Sequence, residues 1–184
     1  EKFRGRGIHY CATCDAAFYK DMDVIVVGGG TSALEEAVYL TKFARSVTIV
    51  NRSDKFKAAK KTCDTVKNNG SIKIIWNTIV KEVKGEEFVE SVILQNKKTG
   101  EIREEKTDGI FVYIGTEPNT SIFKEQINLS ETGHIIADEN MATNIPGVFA
   151  AGDVREKQIR QITTAVSDGT IAGIMAEKFI NSYQ

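Results

Sequence analysis

The 184-residue chain has little cysteine, no long apolar run and no excess of one charge. Its three cysteines are too few and too unevenly placed for the disulfide scaffold of a secreted domain, so we expect a cytoplasmic protein with one working cysteine pair. The longest apolar stretches are strand-length, whereas a membrane-spanning helix needs about 18 apolar residues, and no membrane anchor is predicted. Lys and Arg total 24 against 25 Asp and Glu, which argues against nucleic acid as a partner.

The order of the apolar segments predicts an α/β protein. Residues 23–30 form a β-branched run that ends in glycines, which is typical of a parallel strand buried on both faces. Helical spacing follows over residues 31–44, and residues 47–50 predict a second buried strand, which completes a β-α-β unit. Three short strands over residues 72–94 and a hairpin around residues 98–100 then predict an antiparallel meander.

The pattern changes after a further apolar strand at residues 110–114, which is closed by a turn-rich segment. We expect a strand at residues 148–151 and a long helix from about Gln158. Glycines recur on the apolar stripe of that helix, which predicts close approach of another backbone.

A glycine loop lies between the first predicted strand and helix. Gly28, Gly30 and Ala33 form a G-x-G-x-x-A pattern. The first glycine permits a tight turn, the second lets the backbone approach a pyrophosphate, and the alanine lets helix and strand pack closely. Thr31 or Ser32 is expected to cap the helix. Because a strand precedes and a helix follows, the pattern indicates a dinucleotide site in preference to a bare structural turn.

The end of the second predicted strand bears on which dinucleotide binds. An acidic residue there would accept the ribose hydroxyls of NAD, and a basic one would favour the additional phosphate of NADP. Asn51 and Arg52 occupy this place, followed by Ser53 and Lys57. Guanidinium and ammonium groups suit a dianionic phosphate, so NADPH is favoured and NADH is the alternative.

Cys11 and Cys14 are separated by two residues and are followed by Asp15. Such a pair can close a disulfide or, when reduced, supply a thiolate, and redox exchange is its natural use. A zinc site would need a second pair of ligands, which the third cysteine and the two histidines do not form, so no metal is predicted. Asp15 is either an exposed turn residue or a proton donor beside the thiols.

A third group of residues lies near the end of the chain. Gly152 and Asp153 follow the predicted strand, and Arg160, Gln161 and Ile162 stand at the start of the long helix. A glycine that clears space, a carboxylate that accepts hydroxyl groups and a helix N-terminus together predict a cofactor cradle.

Seven segments in this order resemble the bacterial-type low-molecular-weight thioredoxin reductases: KFRGRG, CATCDAAFY, VVGGGTSALEEA, RSDKFKA, YIGTEPNT, IPGVFAAGDV and RQITTAVSDGTIA. The resemblance runs over essentially the whole chain. It implies NADPH and FAD as cofactors, thioredoxin as the partner and a homodimer in the complete enzyme. It also implies that residues 1–117 are a Rossmann-like NADP(H)-binding domain with an added antiparallel β-meander. Residues 118–184 would be the C-terminal part of a second Rossmann-like, FAD-binding domain.

The resemblance implies a set of catalytic residues and a set of cofactor-binding residues. Cys11, Cys14 and Asp15 would be catalytic, with Cys14 nearest the flavin. The cofactor-binding residues would be Gly28, Gly30, Thr31, Ser32, Ala33, Glu36, Asn51, Arg52, Ser53, Lys57, Ile114, Gly115, Gly152, Asp153, Arg160, Gln161 and Ile162.

The chain departs from the family pattern in two respects. The family has His-Arg-Arg and a further Arg for the 2′-phosphate, where this chain has Asn51, Arg52, Ser53 and Lys57, which weakens the expected preference for NADPH. The family's N-terminal flavin segment lies outside this sequence, and we expect a fragment that is inactive alone. The alternatives are the flavoprotein reductase of a peroxide-reducing system and a non-catalytic nucleotide-binding fragment. A thioredoxin is excluded because its dithiol follows a strand at a helix start, whereas this pair precedes the β-α-β unit.

Overall fold

The computed structural model describes residues 2–182. The chain divides between Gly115 and Thr116 into two compact units. Within the described residues, no helix combines the length and the apolar character that crossing a membrane requires.

The first unit contains two sheets. Its strands in chain order are β1 (Ile8–His9), β2 (Asp23–Val27), β3 (Ser46–Val50), β4 (Ile72–Ile75), β5 (Thr78–Lys84), β6 (Ser91–Asn96), β7 (Ile102–Lys106) and β8 (Gly109–Val112). One sheet is parallel, in the order β1-β8-β2-β3-β4, and the other is antiparallel, in the order β5-β6-β7. The predicted α/β class, with a parallel sheet and an added antiparallel sheet, is confirmed.

Three α-helices accompany these strands in the described part of the first unit: α1 (Ala12–Asp15), α2 (Thr31–Leu40) and α3 (Lys60–Lys67). Helix α2 ends four residues before the predicted boundary at residue 44, and a turn follows it. The prediction that residues 72–75 belong to the meander is wrong, because β4 pairs in parallel with β3. A parallel pair needs a crossover, and α3 lies between these two strands. Only Val66 of α3 is buried, so the polar sequence of the helix concealed its role.

Alternation along β2 builds a core on both faces of the parallel sheet. Val24 and Val26 pack in one cluster with Leu34 and Leu40 of α2. Ile25 points to the opposite face, in a second cluster that includes Val92 and Leu94 of the antiparallel sheet. Burying an aliphatic side chain of this size stabilises a fold by roughly 1.5–3 kcal/mol. The parallel sheet is thus covered by a helical layer and by the antiparallel sheet, which explains its continuous apolar strands.

The second unit has a small core and one long helix, α4 (Ile162–Asn181). Its apolar cluster is built around Ile127, Ile135 and Ala150. The strand predicted at residues 148–151 is wrong, because among the described residues this segment forms only a single bridge, between Ala142 and Phe149. A strand needs a partner along its length, and the segment lies between two glycines of positive φ.

Helix α4 begins four residues later than predicted. Gln161 is its N-cap and forms a reciprocal capping box with Thr164. The expected close approach at Gly169 and Gly173 is also wrong for residues 2–182. A Cβ at either position would have no neighbour within 4 Å outside the backbone of the helix itself. The apolar residues of this helix include two that are largely exposed, Ile162 at 84 % and Val166 at 63 %.

Candidate active site

The candidate site residues of the first unit include several that follow the carboxyl ends of parallel strands. Cys11 comes just after β1, Gly28 after β2, Asn51 after β3 and Tyr113 after β8. Parallel pairing puts these four strand ends at one edge of the sheet. Ligands of open α/β sheets bind at this edge, in the crevice outside the strands.

The glycine loop requires small residues for steric reasons. A Cβ on Gly28, whose φ is 146°, would lie 2.3 Å from the carbonyl oxygen of Tyr113 and 3.0 Å from the Cβ of Ala33. Ala33 is fully buried, at 0 % exposure. Any larger side chain at either position would push α2 away from the sheet. The tight turn and close packing expected from the sequence are therefore present.

The N-terminus of α2 is open. Gly30 is the N-cap, and no side chain of the described residues caps the helix. The prediction that Thr31 or Ser32 would cap it is wrong, because both residues lie inside the helix and are exposed. A helix start without a side-chain cap leaves its first backbone amides available to an anion. Lys57 joins the loop through its own amide, which donates to the carbonyl of Gly29 at 2.7 Å.

The four residues after β3 that were predicted to contact the nucleotide divide into two pairs. Asn51 is only 4 % exposed, and its Nδ2 donates to the carbonyls of Ser53 at 3.1 Å and Lys55 at 2.9 Å. The Ser53 hydroxyl also donates to Lys55, at 2.9 Å. Asn51 and Ser53 therefore shape the loop, whereas Arg52 and Lys57 are exposed. Only the second pair presents positive charge at the surface.

The remaining residues predicted near the nucleotide lie on α2 and after β8. Burial, followed by the charge of Glu35, raises the pKa of Glu36. Ile114 is 75 % exposed, and Gly115 has a φ of 102° with no atom within 4 Å of an added Cβ.

Cys11 and Cys14 form a disulfide with a Cα–Cα distance of 5.3 Å, which confirms their predicted pairing. Cys11 is the N-cap of α1, and its Sγ accepts the backbone N–H of Cys14 at 3.2 Å. Cys11 is half-buried and Cys14 is exposed. The pair precedes the β2-α2-β3 unit as predicted, but it also follows a strand and begins a helix, so its position does not exclude a thioredoxin. Strand β1 has only two residues, too few to be seen in the sequence.

Sequence reasoning missed the tyrosine that joins the disulfide to the glycine loop. The hydroxyl of Tyr113 accepts the backbone N–H of Ala12 at 2.6 Å, while its carbonyl packs against Gly28. Burial raises the pKa of Tyr113 to about 12; the Ala12 amide opposes this shift, and Glu36 and Asp15 add to it. The phenol is therefore neutral near physiological pH. Tyr113 opens the segment YIGTEPNT that resembles the family, but nothing in the sequence singled it out as a site residue.

Asp15 also has partners that the sequence did not reveal. Its Oδ2 lies 2.9 Å from Nδ1 of His9, and Nε2 of His9 lies 2.6 Å from the hydroxyl of Tyr19. The available signal was a histidine two residues before the first cysteine. A histidine so close to a redox-active cysteine pair is suited to proton transfer. The sequence does not show which way its side chain points, because that depends on the strand that carries it.

The candidate cofactor residues of the second unit gather around a short turn. Gly152, with a φ of 82°, begins a 3-10 helix, Gly152–Val154. Arg160 donates from Nε to the carbonyl of Asp153 at 3.3 Å, while the Asp153 carboxylate is exposed. Gln161 and Ile162 follow at the start of α4. The structure thus brings all five predicted residues of this unit to the same turn and helix start.

A buried carboxylate fixes this turn. Asp168 of α4 is 8 % exposed and accepts from the Gly152 amide at 3.0 Å. It also pairs with Arg155 at 3.0 Å and with Lys157 at 2.9 Å. Burial would raise the pKa of Asp168, but the bonds from Lys157, Gly152 and Arg155 outweigh it and hold that pKa below its ordinary value. Within residues 2–182, no three His, Cys, Asp or Glu side chains form a cluster that could hold a metal ion.

The sequence model of the pyridine nucleotide-disulphide oxidoreductase family matches residues 1–169. The chain belongs to this family. It is 53 % identical over 180 residues to a 34.2 kDa protein in the rubredoxin operon of Clostridium pasteurianum, covering 98 % of this chain and 58 % of that protein. It is 48 % identical over 186 residues to the thioredoxin reductase of Peptoclostridium litorale, covering 98 % and 59 %.

A solved structure with a similar sequence has a similar fold. The crystal structure of thioredoxin reductase from Streptococcus pyogenes superposes with a TM-score of 0.90 at 47 % identity, covering 96 % of this chain and 58 % of that one. The resemblance to thioredoxin reductases is therefore confirmed. The chain spans less than two thirds of the length of these relatives.

Proposed function

We propose that this chain is the nucleotide-binding and redox-disulfide part of a thioredoxin reductase, in which electrons pass from NADPH through FAD to Cys11–Cys14 and then to thioredoxin. The observation that carries the proposal is the double contact of Tyr113. Its carbonyl packs against Gly28 of the nucleotide loop and its hydroxyl holds the amide next to Cys11. A nucleotide loop and a disulfide on one sheet edge suit an enzyme that moves electrons between them.

In this proposal residues 1–117 hold the pyridine nucleotide. The open amides at the start of α2, at residues 31–33, bind the pyrophosphate, and Gly30 lets the phosphate approach the backbone. Arg52 and Lys57 bind the 2′-phosphate, since both are exposed cations beside the loop. Asn51 and Ser53 act indirectly, by holding the loop that carries those cations. The observed turn and helix start fit a dinucleotide.

Residues 118–184 contribute part of the flavin site. Gly152, Asp153 and the start of α4, including Arg160, Gln161 and Ile162, form a turn and helix start that suit a flavin nucleotide. When bound, FAD supplies two-electron transfer between nicotinamide and disulfide. The exposed apolar residues of α4 fit a site completed by further chain, as the greater length of the relatives allows.

The cysteine pair performs the exchange with the partner. A thiolate of the reduced pair attacks the disulfide of thioredoxin, and the second thiol resolves the mixed disulfide. The Cys14 amide bonded to the sulfur of Cys11 would stabilise a thiolate there. Asp15 supplies a proton to sulfur. The complete enzyme is proposed to be a cytoplasmic homodimer.

The test uses the chain itself after reduction with dithiothreitol and removal of the reagent. Mixed with oxidised thioredoxin, it should lose two thiols while thioredoxin gains two, measured by mass after alkylation. The Cys63→Ser variant should behave identically, and Cys14→Ser should transfer no electron pair. Preferential reduction of a peroxidase disulfide would favour the peroxide-reducing alternative. Absence of exchange with either protein would leave a nucleotide-binding fragment as the function.

A further inference from the structure

His9 lies between two aromatic rings and two polar partners. Its ring stacks on Phe111 at a centroid distance of 5.2 Å and meets the edge of Tyr19 at 5.1 Å. The His9 side chain is 11 % exposed, against 29 % for Asp15. The imidazole therefore connects an interior phenol, through bonds of 2.6 and 2.9 Å, to the carboxylate that follows Cys14.

Tyr19 holds the imidazole of His9 from the side opposite Asp15. Its ring occupies the space left by Gly109, where a Cβ would lie 2.3 Å from the ring. Burial, with the charges of Asp15 and Asp108, raises the pKa of Tyr19 to about 12. The phenol thus keeps its proton and stays within hydrogen-bond distance of Nε2, while Nδ1 faces Asp15.

Carboxylates act on this network from several elements. Asp15 contributes from α1, and Asp108, just before β8, acts on Tyr19. Glu36 of α2 acts with Asp15 on Tyr113. Phe111 of β8 packs on the ring without charge.

We propose that His9 is a positioning and proton-holding residue for Asp15, so that reduction of the Cys11–Cys14 disulfide draws one proton from the His9–Asp15 pair. The inference rests on the proposed function, because it requires that the Cys11–Cys14 pair is redox-active. A thiolate of a dithiol reductant attacks one cysteine sulfur, and the cysteine disulfide breaks as a mixed disulfide forms. The electron pair leaves on the other cysteine sulfur, which takes a proton passed through Asp15 from Nδ1 of the doubly protonated His9, and the imidazole is left neutral. The second thiolate of the reductant then displaces the remaining cysteine as a thiolate, and the reductant is oxidised to its cyclic disulfide.

The rate at which dithiothreitol reduces the 184-residue chain tests this proposal. It is measured from about pH 5.5 to about pH 8.5, the range in which histidine titrates, and divided by the concentration of dithiothreitol thiolate. The normalised wild-type rate should be about tenfold higher at the low end of this pH range than at the high end. This increase is smaller than the acceleration that a well-positioned general acid commonly gives. The His9→Gln variant should lose the rise, because glutamine can donate a hydrogen bond but holds no titrating proton. Tyr39→Phe, a partly buried phenol that packs with Phe43, is the matched control and should retain the whole rise.

Tyr19→Phe is the second variant, because it keeps the ring that packs on His9 and removes only the hydroxyl. It should show less than half of the wild-type rise, since the imidazole loses the hydroxyl that orients its ring towards Asp15. Equal rises in wild type and His9→Gln, or a flat wild-type profile, would overturn the inference and leave the cysteine pair redox-active. Failure of dithiothreitol to reduce the pair at any pH would overturn both the inference and the proposed function.

Discussion

The hydroxyl of Tyr113 lies 2.6 Å from the backbone nitrogen of Ala12, although the two residues are 101 positions apart in the chain. Ala12 is fully buried, so its amide would have no water to replace this acceptor. The contact ties the start of α1, and with it the disulfide, to the end of β8.

The Tyr113→Phe variant should therefore be destabilised. Removing the acceptor leaves a buried donor unsatisfied, which costs about 1–3 kcal/mol. Urea unfolding of the whole chain measures the difference. Tyr10→Phe is the control, since Tyr10 is 59 % exposed, and its unfolding free energy should stay within about 0.5 kcal/mol of wild type. Equal stability of the Tyr113 variant and the control would mean that the contact contributes nothing.

Gly30→Ala should weaken nucleotide binding without affecting the fold. A Cβ at Gly30 has no neighbour within 4 Å, so the fold can accept it, but it would stand where the pyrophosphate is proposed to approach. We expect NADPH affinity to fall about tenfold, which corresponds to 1.4 kcal/mol, with an unchanged melting temperature. Gly70→Ala also adds a Cβ in open space and should change neither quantity. Unaltered NADPH affinity in the Gly30 variant, measured by calorimetric titration, would contradict the proposed loop.

Arg52 and Lys57 should set the preference between the two pyridine nucleotides. Charge-assisted hydrogen bonds contribute roughly 1.5–3 kcal/mol when well formed, and less when exposed. We expect NADPH to bind at least about tenfold more tightly than NADH at low salt. The margin should shrink as salt rises and should largely disappear in the Arg52→Ala, Lys57→Ala double variant.

The control for this prediction is Lys60→Ala, Lys61→Ala, which removes two exposed charges at the start of α3. It should leave the preference intact. Equal affinities for the two nucleotides in wild type, or tighter NADH binding, would show that the loop after β3 has a different donor specificity.

Asp168 should make the second unit sensitive to acid. The pKa of Asp168 is lowered in the folded state. The carboxylate therefore stabilises the fold above the pKa that it has in the unfolded chain, about 4, and this stabilisation is lost as the pH falls through the lower pKa of the folded state. Asp168→Asn leaves Arg155 and Lys157 without their carboxylate and should cost about 3–5 kcal/mol at neutral pH. Below the folded pKa the two proteins should converge in stability.

Thermal unfolding followed by circular dichroism across pH measures this effect. Glu177→Gln, an exposed change on the same helix, is the control and should have little effect. A pH-independent difference between wild type and the Asp168 variant would show that the carboxylate acts only through packing.

The sequence predicted the elements whose signals are local. Residues 24–27 and 47–50 are all β-branched, and a glycine loop and a helix lie between them at the spacing of a β-α-β unit. The sheet membership of residues 72–75 was not predictable in this way, because an apolar strand of four residues suits a parallel or an antiparallel partner equally. Its pairing with β3 was decided by the crossover through α3, whose polar surface resembles that of any exposed helix.

The sequence by itself determined the chemistry that resides in neighbouring residues: a cysteine pair at a fixed spacing and a loop in which Gly28 and Ala33 permit close packing. Tertiary structure decided which side chains surround that chemistry. His9 meets Asp15 and Tyr19 because the end of β1 is aligned with Phe111 of β8, about a hundred residues along the chain. Side-chain direction in a strand depends on its register with its neighbour, and a two-residue strand carries no pattern of its own from which that register can be read.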